Sequence, residues 1–319
     1  MNTEVALLTL SLLYGIPSFL LYVVILFQFV RPKYRNRFSN PFFRLCFLMG
    51  VVDCVGYLIF YIFFTLPIYS MFSSFYGSAL FFPSPFTTAV YFSAHLNSNI
   101  QIFGNCFLTL NRFTAIVLPL KHDKIWDKCF LATIVVSLLA AIAPIWQLSS
   151  TAAWYTPLHE EFPERGFAMT LDNYKYPDFS LSFHMFLSNI VACTLCLFMN
   201  VVSAVVLIYR TSQPVGAAFV DRKAELGLFI ITCAIFLVQS THSVLQFLFY
   251  IAMRANDFDQ VLRLYVFAPW INDFKYLSPP WVLVLISTSV RQSAFQTFPK
   301  VLYSKKSLSA VQPFNPKRP

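Results

Sequence analysis

Long runs of apolar residues, each near the length that spans a bilayer, dominate this chain of 319 residues. The hydrocarbon core of a bilayer is about 30 Å thick, and a helix needs about 20 apolar residues to cross it. We predict seven such spans, at residues 6–30, 42–66, 88–112, 129–148, 184–209, 226–251 and 266–290. In lipid, every backbone N–H and C=O has to be satisfied within the spanning segment, and this favours helices. The sequence therefore predicts an all-α membrane protein, a seven-transmembrane helix bundle over residues 1–290 with a short basic tail over 291–319.

A soluble helical bundle does not fit the composition. Such a bundle needs a polar face on most of its helices. Hydrophobic residues make up 57% of this chain and charged residues only 12%. Segments such as 7–30 and 46–66 carry almost no charge on any face, so lipid is the expected surrounding.

The basic residues predict how the chain crosses the membrane. Most of the 23 Lys and Arg lie in the first, third and fifth connections between spans and in the tail. Because an excess of Lys and Arg marks the cytoplasmic side, we expect a multi-pass protein of the cell membrane with its N-terminus outside and its C-terminus inside. The net charge of +9 then faces the anionic lipids of the inner leaflet, and we expect no nucleic-acid partner.

The third predicted span is the most polar. Its polar residues are His95, Asn97, Asn99, Gln101, Asn105, Asn111 and Arg112. On a helix, Asn97, Gln101, Asn105 and Arg112 fall on one side, and such a stripe is costly to expose to lipid. We therefore expect this helix to lie at the centre of the bundle. For Asn97 and Gln101 two roles remain open, hydrogen bonds between helices and contact with a ligand near the outer end.

A motif follows at the predicted cytoplasmic end of this span. The span closes with Asn111-Arg112-Phe113, and Pro119 comes seven residues after Arg112. Rhodopsin-like receptors end their third helix with an acidic-Arg-aromatic triplet, a short apolar run and a proline, and this chain resembles them. The Asn form of the triplet, with the phrase at 121–126, is similar to nematode serpentine chemoreceptors of the gamma superfamily, nearest to classes gamma and V.

This resemblance covers nearly the whole chain and implies a function. It implies a chemosensory receptor that binds a small-molecule ligand among the outer halves of its helices and couples to a heterotrimeric G protein. It also implies that Asn111, Arg112 and Phe113 serve the coupling, with Arg112 donating to backbone carbonyls of the inserted partner helix. The alternative for Arg112 is an ordinary arginine that obeys the positive-inside rule.

Three features depart from the rhodopsin-like pattern. The seven cysteines lie within or at the ends of predicted spans, so we expect no extracellular disulfide. The sixth span contains neither Pro nor Trp. The last span contains Pro279 and Pro280, which interrupt the helical hydrogen bonds and predict a bend.

Asp53 is the one acidic residue that the predicted spans bury deeply. A carboxylate within the membrane is costly and suggests a functional site, with Gln101 as a candidate partner. We expect Asp53 to be a structural carboxyl group or an intramembrane protonation switch, ahead of a sodium site.

Further candidates lie on the sixth and seventh spans. Gln239, His242 and Gln246 share one helical face at spacings of three and four, and we predict that they bind ligand together with Asn97 and Gln101. We expect Asp273 and Lys275, at the outer end of the seventh span, to be solvated rim charges. Trp126 is expected to anchor the inner membrane interface.

Two other functional classes compete with a receptor. A transporter or ligand-gated channel is the alternative, but transporters tend to have internal repeats with paired broken helices, which seven spans do not suggest. An enzyme is less favoured, because the chain has no HExxH motif, no phosphate loop among its 8 Gly and no Ser/His/Asp group at one depth. We expect no catalytic residue, no metal site and no cofactor.

Overall fold

The computed structural model describes residues 3–34, 36–78, 81, 83–158, 162–172, 180–211 and 222–295, most of which are helical. The long helices are α1 (Thr3–Val30), α2 (Pro41–Phe60), α4 (Pro85–Val117), α5 (Pro119–Ile142), α6 (Leu181–Thr211), α7 (Arg222–Arg254) and α8 (Phe258–Ile286). The short elements are the helices α3 (Ser73–Tyr76) and α9 (Thr288–Phe295) and the strands β1 (Ala153–Pro157) and β2 (Phe167–Leu171). The predicted tail beyond residue 295 and the predicted connection at 212–221 lie outside the described residues.

Side chains cap the N-termini of two helices, α2 and α4. The Oδ1 atom of Asn40 accepts from the backbone N–H of Phe42 at 3.0 Å, at the start of α2. Ser84 and Thr87 form a reciprocal capping box at the start of α4, in which each side-chain oxygen accepts from the other residue's backbone N–H. These bonds satisfy N–H groups that have no partner within the helix.

Five helical segments among the described residues are long and apolar enough to cross a membrane. They are Glu4–Val30, Pro41–Ile68, Pro119–Ile142, Leu181–Arg210 and Leu226–Arg254. The other two predicted spans correspond to α4 and α8, which are equally long but carry polar residues along their length. Such residues lower the average apolar character of a helix even where its neighbours bury them.

The fourth helix differs from the predicted span 129–148 at both ends. It begins at Pro119, separated from α4 by Leu118 alone, and it ends at Ile142. The ring of a proline disfavours helical geometry in the preceding residue, and Leu118 has φ −126° and ψ 52°. The lysines that follow Pro119 lower the hydropathy of this segment but are good helix formers, so the helix starts earlier than hydropathy indicates.

Helix α4 lies at the centre of the bundle, as its polar stripe predicts. It contacts α2, α5, α6 and α7, while α8 packs against α1, α2 and α7. A large hydrophobic cluster fills the end of the bundle where α1 leads into α2, and it includes Tyr34, Phe38, Phe42 and Val290. Three smaller clusters fill the opposite half.

A β-hairpin covers that opposite end and was absent from the all-α prediction. Strands β1 and β2 are antiparallel, and the pairs run from Ala153 with Leu171 to Pro157 with Phe167. Gly166 directly precedes β2 and has φ +127°, a backbone conformation that favours glycine. A Cβ atom there would collide with the Ile68 carbonyl beyond α2, so the glycine lets the hairpin approach α2 closely.

Tyrosine hydroxyl groups hold the hairpin region to the end of α2. The Tyr155 hydroxyl donates to the Phe63 carbonyl at 2.7 Å, and the Tyr76 hydroxyl donates to the Ile62 carbonyl. Burial raises the pKa of Tyr76 to about 12 and also raises the pKa of Tyr155, so both phenols keep their protons at neutral pH. All seven cysteines are free thiols, and hydrogen bonds provide these attachments.

Candidate functional site

A cavity of about 120 Å³ lies inside the hairpin end of the bundle. Helices α2, α4, α6, α7 and α8 form its wall with the turn after α2, and strand β2 contributes Phe167, Ala168 and Met169. The polar residues that line it are Thr65, Tyr91, His95, Ser98, Ser182, His242, Gln246, Tyr265 and Asn272. A concave, mostly apolar surface with a few converging polar groups is typical of small-molecule sites. We call this space the outer cavity.

A second space adjoins the outer cavity and could serve as a route for a ligand. This space of about 560 Å³ lies between β2, the start of α6 and the end of α7. The two spaces share lining residues from several elements. These are Tyr91, Met169, Leu181, Ser182, Phe249 and Tyr265. A ligand entering by this route would pass between these side chains.

Two histidines face the outer cavity without hydrogen-bond partners. His95 lies among aromatic rings, with its centroid 4.5 Å from that of Tyr91 and 6.2 Å from that of Phe64. Both ring nitrogens of His95 and of His242 are buried and have no partner among the described residues. The Oδ1 atom of Asn272 is likewise buried and unpaired.

A buried lysine lies directly behind the cavity wall. The ammonium of Lys275 donates to the Ser98 hydroxyl at 2.6 Å, and Ser98 lines the cavity. The prediction that Asp273 and Lys275 are solvated rim charges is wrong, because they are only 4% and 3% exposed. Helix α8 begins at Phe258, well before the predicted span, so both residues lie near its middle.

Asp53 belongs to the same polar group. Its carboxylate accepts from Gln101 Nε2 at 2.6 Å and from the Tyr22 hydroxyl at 2.5 Å. It also interacts electrostatically with Lys275. Ser98, Lys275, Gln101, Asp53 and Tyr22 thus form a continuous polar chain from the cavity wall to α1. Among the described residues, no group of three or more His, Cys, Asp or Glu side chains is arranged to hold a metal ion.

Gln101 also compensates for a proline in α8. Pro279 has no N–H to donate to the carbonyl four residues earlier, which belongs to Lys275. Gln101 Nε2 donates to that carbonyl at 3.3 Å. Helix α8 continues through Pro279 and Pro280 to Ile286, because a neighbouring helix satisfies a carbonyl that a proline leaves free.

The sequence-predicted ligand residues separate into two layers. His242 and Gln246 line the outer cavity. Gln101 and Gln239 lie deeper, around a void of about 10 Å³ that Lys275 also lines. Asn97 donates to the Val52 carbonyl of α2 at 3.0 Å, which is a hydrogen bond between helices.

The triplet at the other end of α4 is packed into the bundle. Arg112 is 5% exposed and donates from Nη2 to Asn111 Oδ1 at 2.7 Å. Its guanidinium carbon lies 4.3 Å from the centroid of the Phe42 ring, a cation–π contact. Asn111 is fully buried, and Phe113 is half-buried. A hydrogen bond from the charged guanidinium to a neutral amide therefore stands where the resembled receptors have an ion pair.

Trp126 holds α5 against α4, and its burial in the bundle does not fit the predicted role as an anchor at the membrane interface. It is 3% exposed, and its Nε1 donates to Thr114 Oγ1 at 2.9 Å. His122 Nδ1 lies 3.1 Å from the same hydroxyl. The early start of α5 explains the difference, since it turns this tryptophan toward α4.

A comparison with protein families identifies the family of this chain. The model of the Srg family chemoreceptors matches residues 8–294, nearly the whole chain. The chain belongs to the Srg chemoreceptor family. This Srg chemoreceptor is therefore a multi-pass membrane protein, and the expected resemblance to serpentine receptors of the gamma superfamily is confirmed.

Individual relatives of this Srg chemoreceptor come from Caenorhabditis elegans. It is 23% identical over 226 residues to serpentine receptor class gamma-10, over 69% of this chain and 64% of the relative. It is 24% identical over 245 residues to serpentine receptor class gamma-31, over 72% and 70% of the two chains. It is 33% identical over 104 residues to serpentine receptor class V-1, over 32% of each chain. The matches thus span less than two thirds of the class gamma-10 and class V-1 relatives.

Several cavity residues of the Srg chemoreceptor were not predicted as ligand contacts. His95 is one of the polar residues of the third predicted span, but it lies outside the stripe of Asn97 and Gln101 and was therefore not predicted to contact ligand. Tyr265 precedes the predicted seventh span, and Asn272 lies within that span but was not among the predicted ligand contacts. The sequence offered one signal, since a histidine among aromatic residues within an apolar segment is costly to bury.

Proposed function

We propose that this Srg chemoreceptor binds a small molecule in the outer cavity and transmits the binding event to a G protein on the opposite side of the membrane. The observation that carries the proposal is the cavity itself, whose largely apolar wall includes side chains of α4, α7 and α8 with unpaired polar atoms. Buried polar atoms without partners cost stability, and a ligand that pairs with them recovers that cost.

The proposal includes seven spans over residues 1–290, with the N-terminus outside and the basic tail inside. The distribution of Lys and Arg supports this orientation. The outer cavity then opens toward the extracellular side, and the Asn111-Arg112-Phe113 end faces the cytoplasm. The proposal assigns no catalytic step to the receptor.

His242 and Gln246 are the proposed ligand contacts on α7. We propose that Asn97, Gln101 and Gln239 act one layer deeper, where Gln101 already bridges α2, α4 and α8. A ligand that shifts α7 or α8 changes the geometry of this layer, and the change can bias the bundle between two arrangements.

Coupling would use Arg112 at the inner end of α4. Its bonds to Asn111 and its contact with Phe42 lie within the bundle in this structure. We propose that Arg112 leaves these partners when the helices rearrange and donates to backbone carbonyls of a heterotrimeric G protein. Asn111 and Phe113 belong to the same proposed surface.

The deciding experiment applies a panel of small uncharged compounds to cells that express the receptor. G-protein activation and membrane current are recorded in parallel, with His242→Phe as a variant that removes the α7 imidazole from the outer cavity. We expect activation without current, and reduced activation in the variant at equal surface amount. A current that persists after the G proteins are ablated would contradict the receptor mechanism and favour a ligand-gated channel.

A further inference from the structure

Three of the polar side chains that line the outer cavity lie at its deep end. Helix α4 runs inward from the hairpin end, so His95 lies about one turn deeper than Tyr91. Helix α7 runs the opposite way, so His242 lies about one turn deeper than Gln246. Asn272 is the deepest residue that α8 gives to the cavity. These three side chains therefore line the deep end of the cavity, and each has a buried polar atom without a partner among the described residues.

The available hydrogen bonds favour a particular ligand group. A neutral imidazole offers one donor and one acceptor, and the Asn272 Oδ1 atom accepts only. A hydroxyl group both donates and accepts, so it can bond to an imidazole N–H and to Asn272 at once. A carbonyl or an ether only accepts and would leave Asn272 unpaired.

Charged ligands fit less well. The ammonium of Lys275 lies behind Ser98 in the cavity wall, so an amine would bring a second positive charge close to it. An ionised carboxylate cannot donate to Asn272, and it would lose its hydration among aromatic rings.

The cavity also limits the size of the ligand. An apolar protein cavity of about 150 Å³ is known to hold benzene. The outer cavity measures about 120 Å³, and Phe60, Phe64, Tyr91 and Phe249 contribute aromatic surface to it. The apolar part of a ligand that fits is therefore one small ring or a short chain.

We propose that the ligands of this cavity are small uncharged alcohols or phenols, whose hydroxyl group lies between His95, His242 and Asn272. This inference rests on the proposed function only in taking the outer cavity as the ligand site. The ring or chain of the ligand then points toward the shared residues of the adjoining space.

Binding to the purified receptor in lipid nanodiscs tests the ligand class without any G protein. The probes are benzyl alcohol, benzaldehyde, benzylamine, benzoate and toluene, with empty nanodiscs to subtract partition into lipid. We expect benzyl alcohol to bind at least about tenfold more tightly than each of the others, because a site built to pair a hydroxyl rejects analogues that lack one. Equal or tighter binding of any other probe, or no binding of benzyl alcohol, would overturn the proposal.

Two cavity variants and one control variant test whether the preference for an alcohol depends on His242 and Asn272. In His242→Phe and in Asn272→Leu, benzyl alcohol and toluene should bind with similar affinities. Two variants are used so that a folding defect in one of them does not prevent the test. Thr241→Val is the control, because Thr241 is exposed on the same helix and does not line the cavity. An unchanged alcohol preference in either well-folded cavity variant would count against the proposal.

The outcome separates this inference from the proposed function. Alcohol-selective binding without G-protein activation would leave the ligand class standing and remove the coupling. Activation by benzaldehyde or toluene through the same cavity would keep the receptor function and overturn the ligand class.

Discussion

Asp53 and Lys275 are buried ionisable residues, and we expect the contribution of each to the stability of the receptor to depend on the other. Each is less than 4% exposed, and they interact across the α2–α8 contact. Removing one member of a buried charged pair leaves the other without compensation, which costs more than losing both. Gln101 and Ser98 bind the pair to α4.

A double-mutant cycle tests this coupling. Asp53→Asn and Lys275→Met should each lower the apparent unfolding temperature of the purified receptor, through a loss of about 3 kcal/mol or more. The double variant should be less destabilised than the sum by about 1–3 kcal/mol. Asp53→Asn combined with Tyr209→Phe is the control, since the exposed Tyr209 should contribute independently. Additive losses in the first cycle would show that the two charges do not stabilise each other.

Substitutions can separate two roles of Arg112, coupling to a G protein and membrane insertion by the positive-inside rule. Arg112→Ala should abolish agonist-stimulated nucleotide exchange while leaving a measurable surface population, because the proposed contacts with the G protein are lost. Arg112→Lys should restore exchange poorly, since an ammonium lacks the planar set of guanidinium donors. Surface amount and nucleotide exchange are measured on the same cells.

Arg44 supplies the matched control for Arg112. It is an exposed arginine at the same end of the bundle, so Arg44→Ala removes a basic residue without touching the triplet. If Arg112 serves only membrane insertion, both alanine variants should behave alike. Normal exchange in Arg112→Ala at normal surface level would remove the residue-level support for coupling.

At the residue scale, the sequence predicted burial correctly for side chains whose orientation depends only on the helical period. The stripe of Asn97, Gln101 and Arg112 turned inward because α4 is surrounded by other helices. Lys275 and Asp273 could not be predicted in the same way, since their burial depends on where α8 begins. Hydropathy does not show that start, because the first turns of α8 carry charged residues.

Among the secondary-structure elements, the hairpin depends on a few side-chain hydrogen bonds. Tyr155 belongs to β1 and donates to a carbonyl just beyond α2, while β2 lines the outer cavity. The position of β2 against the cavity therefore depends on this attachment. The hairpin provides the outer covering without a disulfide.

Loss of the Tyr155 hydroxyl should loosen the hairpin. Tyr155→Phe keeps the ring but leaves the Phe63 carbonyl without this donor, a cost of about 1 kcal/mol. We expect a lower apparent unfolding temperature and faster proteolysis within 158–166. Tyr209→Phe removes an exposed hydroxyl and should change neither quantity. Identical proteolysis rates in the two variants would show that the hydroxyl does not hold the hairpin.

The helices were more predictable than the connections between them. Every long helix overlaps a predicted span, because lipid requires long apolar helical segments. The ends were less predictable, since helices extend into polar sequence, as α5 does after Pro119. The hairpin was missed because two strands of 5 residues give only a weak periodic signal in sequence.

On the scale of the whole molecule, the described termini lie at opposite ends of the bundle. Near the N-terminus, Glu4 accepts from the backbone N–H of Ser70 at 3.1 Å, which ties it to the connection after α2 at the hairpin end. Near the other terminus, Val290 of α9 packs with Tyr34 and Phe38 at the turn between α1 and α2. If the helices cross a bilayer, these two ends face different compartments.

Epitope tags test that arrangement in intact cells. Tags at Met1 and within 158–174 should be labelled without permeabilisation, whereas tags within 212–219 or after Lys306 should be labelled only after it. Met1 and 158–174 are separated by four predicted spans, so the same labelling of both requires an even number of crossings between them. An antibody against a cytosolic protein serves as the control for membrane integrity.

Opposite labelling of the tags at Met1 and within 158–174 would reject the span count, because an odd number of crossings would then separate them. Reversed labelling of all four would keep the count but put Arg112 outside the cell, where no heterotrimeric G protein could reach it.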